Sequence, residues 1–450
     1  MFLHLESPDW PAHFGGLAVV EAKPLLDSSG QLPLQEIRER LNRRLANVPY
    51  LRRRLHLPGP LGGKALWVDD QHFDIRHHVH ETTVAAPGGD LQLLDAAARV
   101  YGTLLDHGRP LWELWFLTGL SNGRVGVLLK LHHSVADGMA AVAIMGSLFD
   151  FEPDAPDPVS EPWTPEPIPG WASLTADNLS HKIGAVGLAA AMLGHPLRLI
   201  RGSRVLIRVA REALGQTSAP PTSLTQVVRS GRRIRYLRLD LATMKEAAHA
   251  HEAKVNDVVL NLWSGGLRAL TLHRAEPTSG LELITSMPVS LRAASEAGIV
   301  DNRLGIMDLP LPIGEPDVQR RLDLIVRTTR KAKSEQQSAA MSGFLAVASA
   351  LPFGKSFSAH QHTVNVKVTN VMGPPVPLYV LGARILDILP ITRLFGNVGL
   401  TLCAFSYARQ VYLVVTADET AFPDLDVLMD GMEADWQALI GTRLLDAVGA

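Results

Sequence analysis

Residues 124–145 read RVGVLLKLHHSVADGMAAVAIM, an apolar strand pattern followed by two histidines, an Asp-Gly turn and an Ala/Met-rich helix pattern. Successive side chains of a strand point to opposite faces, so Leu131 and His133 are expected on one face and Lys130 and His132 on the other. The two histidines should therefore point in opposite directions. A histidine at the end of a strand, beside a glycine-containing turn, lies where a substrate or a second domain can approach. This position suits a general base.

The composition is that of a globular chain with enough material for more than one core. The chain has 450 residues, of which 46% are hydrophobic, and this length favours two structural units. The formal net charge of -2 gives no global basic field, so nucleic acid is not expected as a partner. Cys403 is the single cysteine, which excludes an internal disulfide and a multi-cysteine zinc site. Its apolar neighbours predict a buried side chain.

The sequence shows no pattern for secretion or for crossing a membrane. Residues 1–10, MFLHLESPDW, contain neither a basic leader nor a long apolar region. No uncharged apolar run is long enough to span a bilayer. We therefore expect a cytoplasmic protein.

A change of composition after Asp150 predicts the domain organisation. Residues 151–171 read FEPDAPDPVSEPWTPEPIPGW, and such a density of proline and acidic residues is typical of an extended linker. We predict an N-terminal domain over 1–150, a proline-rich linker and basic crossover segment over 151–220, and a C-terminal domain over 221–450.

The basic crossover segment carries arginines at spacings of three and four among apolar residues. On a helix these arginines would form a basic stripe, although the Gly-Ser pair at 202–203 can break such a helix. One interpretation is the solvated face of a helix between domains. The other is a peripheral contact with an anionic membrane or a lipid-droplet surface. The arginines are Arg198, Arg201, Arg204, Arg208 and Arg211.

Strand and helix patterns alternate irregularly in both halves, which predicts mixed α/β layers in each domain. A strand beginning near Leu111 is expected to pair with the strand that precedes His132. The pair His77-His78 lies in an alternating pattern without an acidic residue a few positions later, so we interpret it as ordinary strand or surface histidines. The sequence contains no internal repeat, phosphate-binding loop or dinucleotide-type glycine pattern.

The segment HHSVADG, residues 132–138, has the form HHxxxDG and is the strongest candidate for chemistry. His133 can take a proton from an alcohol or amine that attacks an activated acyl group. Asp137 has two possible roles, since it can orient the imidazole or pair with an arginine and brace the turn. The non-catalytic alternative is a pair of strand-end histidines with Asp137 capping the next helix.

Several further motifs accompany HHSVADG, namely RPLWELWF, VNDVVLNLWSGGLR, MPVSLR, VTNVMGPP and LCAFSY. With these motifs the chain resembles the bacterial wax ester synthase/acyl-CoA:diacylglycerol acyltransferase family over most of its length. The resemblance implies a fold similar to chloramphenicol acetyltransferase and nonribosomal peptide condensation domains, with two related α/β domains and a tunnel at their interface. The chain departs from the family at Met372, where proline is common, and is expected to begin inside the family's usual opening segment.

The resemblance also implies roles for individual residues. His133 matches the family's general base and His132 the histidine beside it. Asp137 matches an acidic residue with a structural role, and Gly138 relieves the turn. Arg292 is the candidate ion-pair partner of Asp137, with a surface arginine as the alternative.

Asn256 and Asn370 are candidates for binding substrate or a developing oxyanion, with a cap or turn role as the alternative for each. No metal and no cofactor are expected, because acyl-CoA is a co-substrate of this reaction.

Two functions of different classes follow from this reading. The first is an O-acyltransferase that moves a long-chain acyl group from acyl-CoA to diacylglycerol, to a long-chain alcohol or to both, by direct attack and without a covalent acyl-enzyme. The second is a non-catalytic scaffold of the same fold that binds a lipid surface or a carrier protein. The intact His133 and Asp137 favour catalysis.

Overall fold

The computed structural model describes most of the chain. Asp137, Gly138 and Arg292 lie outside the described residues, as does the basic segment 198–211, so what was predicted for them stays a prediction. The described residues are 3, 6–59, 63, 65–135, 144, 146–158, 163–180, 218–290, 304–334 and 359–448.

The main elements are strands and helices in irregular alternation, as the sequence predicts. The strands are β1 His13–Glu21, β2 Arg53–His56, β3 Leu66–Asp69, β4 Val79–Thr83, β5 Trp112–Thr118, β6 Arg124–His132, β7 Arg232–Asp240, β8 Leu283–Ser290, β9 Leu304–Leu311, β10 Val366–Met372, β11 Tyr379–Val380, β12 Ala383–Ile391, β13 Leu400–Tyr407 and β14 Gln410–Asp418. The helices are α1 Leu34–Arg44, α2 Asp90–Gly102, α3 Leu241–Ala250, α4 Val255–His273, α5 Val318–Ser334 and α6 Leu425–Val448.

Two six-stranded mixed sheets organise these elements. The first sheet has the order β11-β12-β1-β6-β5-β4, and the second has the order β7-β14-β13-β10-β8-β9. In the first sheet only β4 and β5 run parallel, whereas in the second β10 is parallel to both of its neighbours. The predicted pairing of the strand near Leu111 with β6 is confirmed, because Trp112 of β5 lies opposite Leu131 in an antiparallel ladder. The predicted α/β fold class is confirmed.

The central strand β6 is apolar because both of its faces are covered. Every residue from Val125 to His132 is buried. Lys130 is a charged residue in this apolar strand. Its ammonium forms an ion pair with the carboxylate of Glu113 at 3.0 Å and donates to the carbonyl of Thr103 at 3.0 Å. A buried charge that is paired and hydrogen-bonded in this way is tolerated inside a core.

The second sheet has two different faces. One face packs on α3 to α6 and includes Leu402 and Leu413 in a core of its own. The other face meets the first sheet, because Tyr407 and Tyr412 belong to the same hydrophobic core as Leu17 of β1. The two sheets therefore contact each other directly over part of their area.

The first sheet contains strands from both halves of the chain. β12 pairs antiparallel with β1, with Leu17 opposite Leu389. Asp387 of β12 then reaches the second sheet, since its carboxylate accepts from the hydroxyl of Tyr412 at 2.9 Å and pairs with Arg238 at 3.1 Å. The predicted segments 1–150 and 221–450 stay a prediction, but the sheets do not follow them, because 379–391 completes the first sheet.

The acidic, proline-rich segment after Asp150 is tied to the first half. Asp157 pairs with Arg40 and Arg43 at 2.9 and 3.0 Å and with the buried Arg44 at 3.1 Å. Residues 151–158 and 163–170 contain neither helix nor strand, as predicted, whereas residues 171–180 are helical.

Two smaller expectations from the sequence can be checked. Cys403 is free and buried, and burial raises the pKa of its thiol to about 12, so it packs as a small apolar residue. His77 ends a short 3₁₀ helix before β4 rather than lying within a strand, and His78 is buried. No helix in the described part of the chain combines the length and the hydropathy needed to cross a bilayer.

Candidate active site

The two histidines follow each other at the end of β6, and neighbouring segments hold their backbones. The N–H of His132 donates to the carbonyl of Leu111 at 3.1 Å, and the N–H of His133 donates to the carbonyl of Ala12 at 3.0 Å. Leu111 immediately precedes β5 and Ala12 immediately precedes β1, the two strands that flank β6. The histidine pair is therefore fixed by three adjacent strands of the first sheet.

His133 is a partly exposed imidazole in an apolar and electropositive setting. Its ring lies 4.8 Å from the ring of Phe14, centroid to centroid. Burial lowers the pKa of His133 to about 3, and the positive charges of Arg393 and Lys367 add to this effect. The imidazole is thus neutral at neutral pH and can accept a proton.

His132 is fully buried and has different surroundings. Its Nδ1 accepts the backbone N–H of Ser134 at 3.0 Å, and the hydroxyl of Ser134 lies 2.5 Å from the same atom. Because Nδ1 is an acceptor, the ring carries a hydrogen on Nε2, which lies 3.6 Å from the carboxylate of Glu6. The two side chains point to different groups, as strand alternation predicts, and His132 serves to orient the strand end.

Glu6 is a site residue that the sequence reading missed. Its Oε1 accepts the N–H of Ala12 at 2.8 Å, and its Oε2 lies 2.5 Å from Nε2 of His107. Burial raises the pKa of Glu6, but the interaction with His132 and the hydrogen bond from the Ala12 backbone outweigh burial and hold the pKa at about 2. Since the carbonyl of Ala12 holds the backbone of His133, the carboxylate fixes the peptide segment that positions the candidate base.

Glu6, His107 and His132 form the one cluster of metal-ligand type in the described ranges, with one ligand atom from each within 4.8 Å of the others. The 2.5 Å between Glu6 and His107 is a hydrogen-bond distance. Two ligands of a tetrahedral zinc ion with bonds of about 2.0–2.1 Å lie ~3.3 Å apart. The arrangement is therefore that of a hydrogen-bonded network.

Replacing Glu6 by alanine is expected to lower the free energy of unfolding by about 2–3 kcal/mol, because a charged acceptor of several hydrogen bonds is lost. His107→Ala is the matched control. It removes only the outer, half-exposed partner and is expected to cost less than ~1 kcal/mol. Urea unfolding curves of the two variants test this ranking, which equal losses would contradict.

Two cations from the second half of the chain approach His133. Arg393 follows β12, and Lys367 lies on β10 of the second sheet. The Lys367 side chain is exposed, yet burial is the largest cause that lowers its pKa, and Arg393 adds to the shift. The region in front of His133 is thus electropositive.

The structure brings Asn256 and Asn370 together. The amide of Asn370 donates to Asn256 at 3.2 Å. The helix cap predicted for this segment is made by Asp257, whose carboxylate accepts the N–H of Lys254 at 2.8 Å and the hydroxyl of Thr329 at 2.8 Å. Asn370 points to the helix-covered face of β10, three residues after Lys367 on the opposite face. A role of the two asparagines toward substrate stays a prediction.

Two mixed sheets in contact with each other, with a neutral histidine at the end of a central strand, are the arrangement expected of an α/β acyltransferase. Residues 1–259 match the wax ester synthase/diacylglycerol acyltransferase catalytic domain, and residues 300–439 match the WS/DGAT C-terminal domain. The chain therefore belongs to the wax ester synthase/diacylglycerol acyltransferase family and is an acyltransferase.

Similar proteins of known sequence carry names of the same activity. A Mycobacterium bovis protein named as a diacylglycerol O-acyltransferase is 29% identical over 435 residues, which cover 93% of this chain and 89% of that protein. A Mycobacterium tuberculosis protein with the same type of name is 30% identical over 387 residues, or 81% of this chain and 74% of that protein.

Solved structures confirm the fold. The wax ester synthase/diacylglycerol acyltransferase of Marinobacter aquaeolei superposes with a TM-score of 0.72 at 22% identity, covering 97% of this chain and 96% of that chain. The first condensation domain of the calcium-dependent antibiotic synthetase superposes with a TM-score of 0.54 at 16% identity, covering 95% and 91%. The similarity to condensation domains implied by the sequence is therefore confirmed at the level of fold.

Proposed function

We propose that the protein transfers a long-chain acyl group from acyl-CoA to the hydroxyl of diacylglycerol, of a long-chain alcohol or of both. His133 is the general base. The observation that carries the proposal is its neutral, partly exposed imidazole at the end of β6, beside the positive charges of Arg393 and Lys367. A histidine sealed inside a core has no access to a hydroxyl.

The reaction needs one base and no covalent intermediate. A ring nitrogen of His133 takes the proton of the acceptor hydroxyl while the oxygen attacks the thioester carbonyl carbon. The carbonyl electrons move to oxygen, then return as the carbon–sulfur bond breaks. The proton held by His133 neutralises the departing CoA thiolate, so the products are an ester and free CoA.

Arg393 and Lys367 explain how a base with a low pKa can accept a proton during the reaction. In the resting protein, Arg393 and Lys367 oppose a positive charge on His133 and keep it ready to accept a proton. A negative charge that develops on the carbonyl oxygen offsets these cations, so the imidazolium becomes less unfavourable as the reaction proceeds. The proton affinity of His133 thus rises as the acceptor oxygen attacks, which is when the ring takes the proton.

The lowered pKa of His133 predicts an unusual pH profile. An ordinary histidine with a pKa of 6.5 is about one-tenth neutral at pH 5.5 and would lower kcat/KM about tenfold there. With a pKa of about 3, His133 stays neutral, and we expect kcat/KM to change less than about threefold between pH 7.5 and 5.5. Initial rates with subsaturating acyl-CoA test this, with activity recovered at pH 7.5 as the control for unfolding.

The proposal is tested with purified protein, labelled palmitoyl-CoA and either diacylglycerol or hexadecanol. Release of free CoA that depends on an acceptor, together with labelled triacylglycerol or wax ester, is the expected result. Binding of neutral lipid without CoA release would instead support the scaffold function, in which the same fold binds a lipid surface or a carrier protein.

A further inference from the structure

The second sheet carries a row of polar side chains on the face that meets the first sheet. Asp308 of β9 lies opposite Ser286 of β8. Lys367 of β10 is paired with Ser286 on one side and with Thr401 of β13 on the other. Paired residues of neighbouring strands present their side chains on the same face, about 5 Å apart. The four side chains therefore lie side by side across four strands.

Within the described residues, only the Thr401 end of this row bonds to a residue outside the row. Thr401 is buried, and its hydroxyl lies 2.5 Å from the hydroxyl of Thr392, which follows β12. Lys367 makes no hydrogen bond or ion pair with any residue that the structure describes. Asp308 accepts a hydrogen bond from Ser286, and its buried Oδ1 has no partner among the described residues. Buried polar atoms are rarely left without a partner unless a ligand or water supplies one.

The other end of the row lies on the more exposed part of the sheet. On β13 and β14 the same face is packed against the first sheet through Tyr407, Tyr412 and neighbouring residues. On this face Ser286 and Asp308 are partly exposed and Lys367 is exposed, whereas the described residues on the opposite face of β8 and β9 are buried. Lys367 is also the residue whose charge acts on His133.

We propose that the polar row Asp308, Ser286 and Lys367 binds the ester and hydroxyl oxygens of the glycerol backbone when the acceptor is a diacylglycerol. This inference rests on the proposed function and specifies its acceptor. Three neighbouring positions, spanning ~10 Å, offer hydrogen-bonding groups in a line, and the charge of Lys367 at one end of that line acts on His133. A diacylglycerol has an oxygen on each of three adjacent carbons, whereas a long-chain alcohol has only the hydroxyl that reacts.

The chemistry of the row agrees with this assignment. The ammonium of Lys367 can donate to an ester carbonyl, and Oδ1 of Asp308 can form a hydrogen bond with a hydroxyl. Burial raises the pKa of Asp308. The row therefore suits an uncharged ligand that carries both ester carbonyls and a hydroxyl.

The test is a competition between two acceptors in one tube. The double variant Ser286→Ala/Asp308→Leu leaves Lys367 and its effect on His133 in place. We expect its ratio of triacylglycerol to wax ester, with equal diacylglycerol and hexadecanol, to fall roughly 10- to 100-fold, since two hydrogen-bonding positions are lost. The ratio does not depend on how much of the variant is folded. An unchanged ratio would overturn the proposal.

Two controls separate recognition from structure. Thr285→Val changes the neighbouring residue on the opposite, buried face of β8 and is expected to leave the ratio unchanged. Ser286→Thr/Asp308→Asn keeps hydrogen-bonding groups at both positions and is expected to restore the ratio to within about threefold of the original. Equal loss of the ratio in all three variants would show a structural effect and contradict the assignment.

A binding measurement distinguishes this proposal from the proposed function. In the His133→Ala background no turnover is needed, and calorimetry with dioctanoylglycerol is expected to show binding that the double variant weakens at least tenfold. Octanol is expected to bind both proteins equally. If the original protein releases no CoA but this difference persists, acyl transfer fails while the subsite stands. If the double variant binds dioctanoylglycerol unchanged, the subsite fails whatever the activity.

Discussion

Replacing His133 by alanine is expected to lower kcat by about 10²- to 10⁴-fold, the usual contribution of a positioned general base. The substitution removes the only proton acceptor assigned to the reaction but keeps the backbone N–H that donates to Ala12 at 3.0 Å. The ring is partly exposed, so its loss leaves a space that solvent can enter rather than a sealed cavity. Release of CoA from palmitoyl-CoA in the presence of diacylglycerol measures the effect.

The pair His77-His78 supplies a matched control for this substitution. His77 also has a histidine beside it in the sequence, and it is exposed on the short 3₁₀ helix before β4. His77→Ala should retain full activity within about a factor of two, as expected for a surface residue away from special features. Activity of the His133→Ala protein above one-tenth of the original, with an unchanged unfolding midpoint, would show that this imidazole is not the base.

The sequence predicted the local elements around the site well because their signals are local. The apolar pattern of residues 124–131 predicts the strand β6, which ends at His132, and the pattern near Leu111 predicts the strand β5, which begins at Trp112. These features depend on residues within one strand or one helical turn. The divergence of the two histidines follows from the same geometry and is confirmed.

The partners of the histidines could not be predicted, because they come from distant parts of the chain. Glu6 reaches His132 from before β1, and Lys367 acts on His133 from a strand more than two hundred positions later. Neither residue has a periodic pattern that distinguishes it from an ordinary surface charge. The order of the first sheet, which places β1 beside β6, and the packing of the second sheet against the first bring these two residues to the histidines.

The same reasoning explains why the predicted division of the chain does not describe the sheets. The pattern of β12 predicts a strand, but a strand pattern does not specify its neighbour. Pairing with β1 places Leu389 opposite Leu17, and this choice depends on the hydrophobic face that the rest of the fold offers. The strand β12 therefore belongs to the C-terminal half of the sequence, but it pairs with β1 of the N-terminal half.

Lowering the pH from 7.5 to 5.5 is expected to cost the protein about 4 kcal/mol of unfolding free energy through three histidines. Burial is the main cause that lowers the pKa of His13 to about 3, of His78 to about 4 and of His133 to about 3. Each ring is neutral in the folded protein but binds a proton in the unfolded chain below a pKa of about 6.5. The unfolded state thus takes up more protons, so stability is complete above pH 6.5 and falls as the pH decreases toward the folded pKa values.

The variant His78→Phe removes one of the three histidines and therefore about one third of this expected loss of stability. The His78 ring is stacked at 4.7 Å on Trp112 and at 5.2 Å on Phe73, a flat arrangement that a phenyl ring can occupy. The raised pKa values of Asp308 and Asp435 act in the opposite direction, so the difference between two proteins is more informative than one curve. We expect the free energy of unfolding of His78→Phe, measured with denaturant, to fall by ~1.4 kcal/mol less than that of the original protein between pH 7.5 and 5.5.

His77→Ala is the control, and its free energy of unfolding should change with pH in parallel with that of the original protein. A His78→Phe curve that also runs parallel would mean that His78 takes up its proton without unfolding, so that burial does not keep this ring neutral.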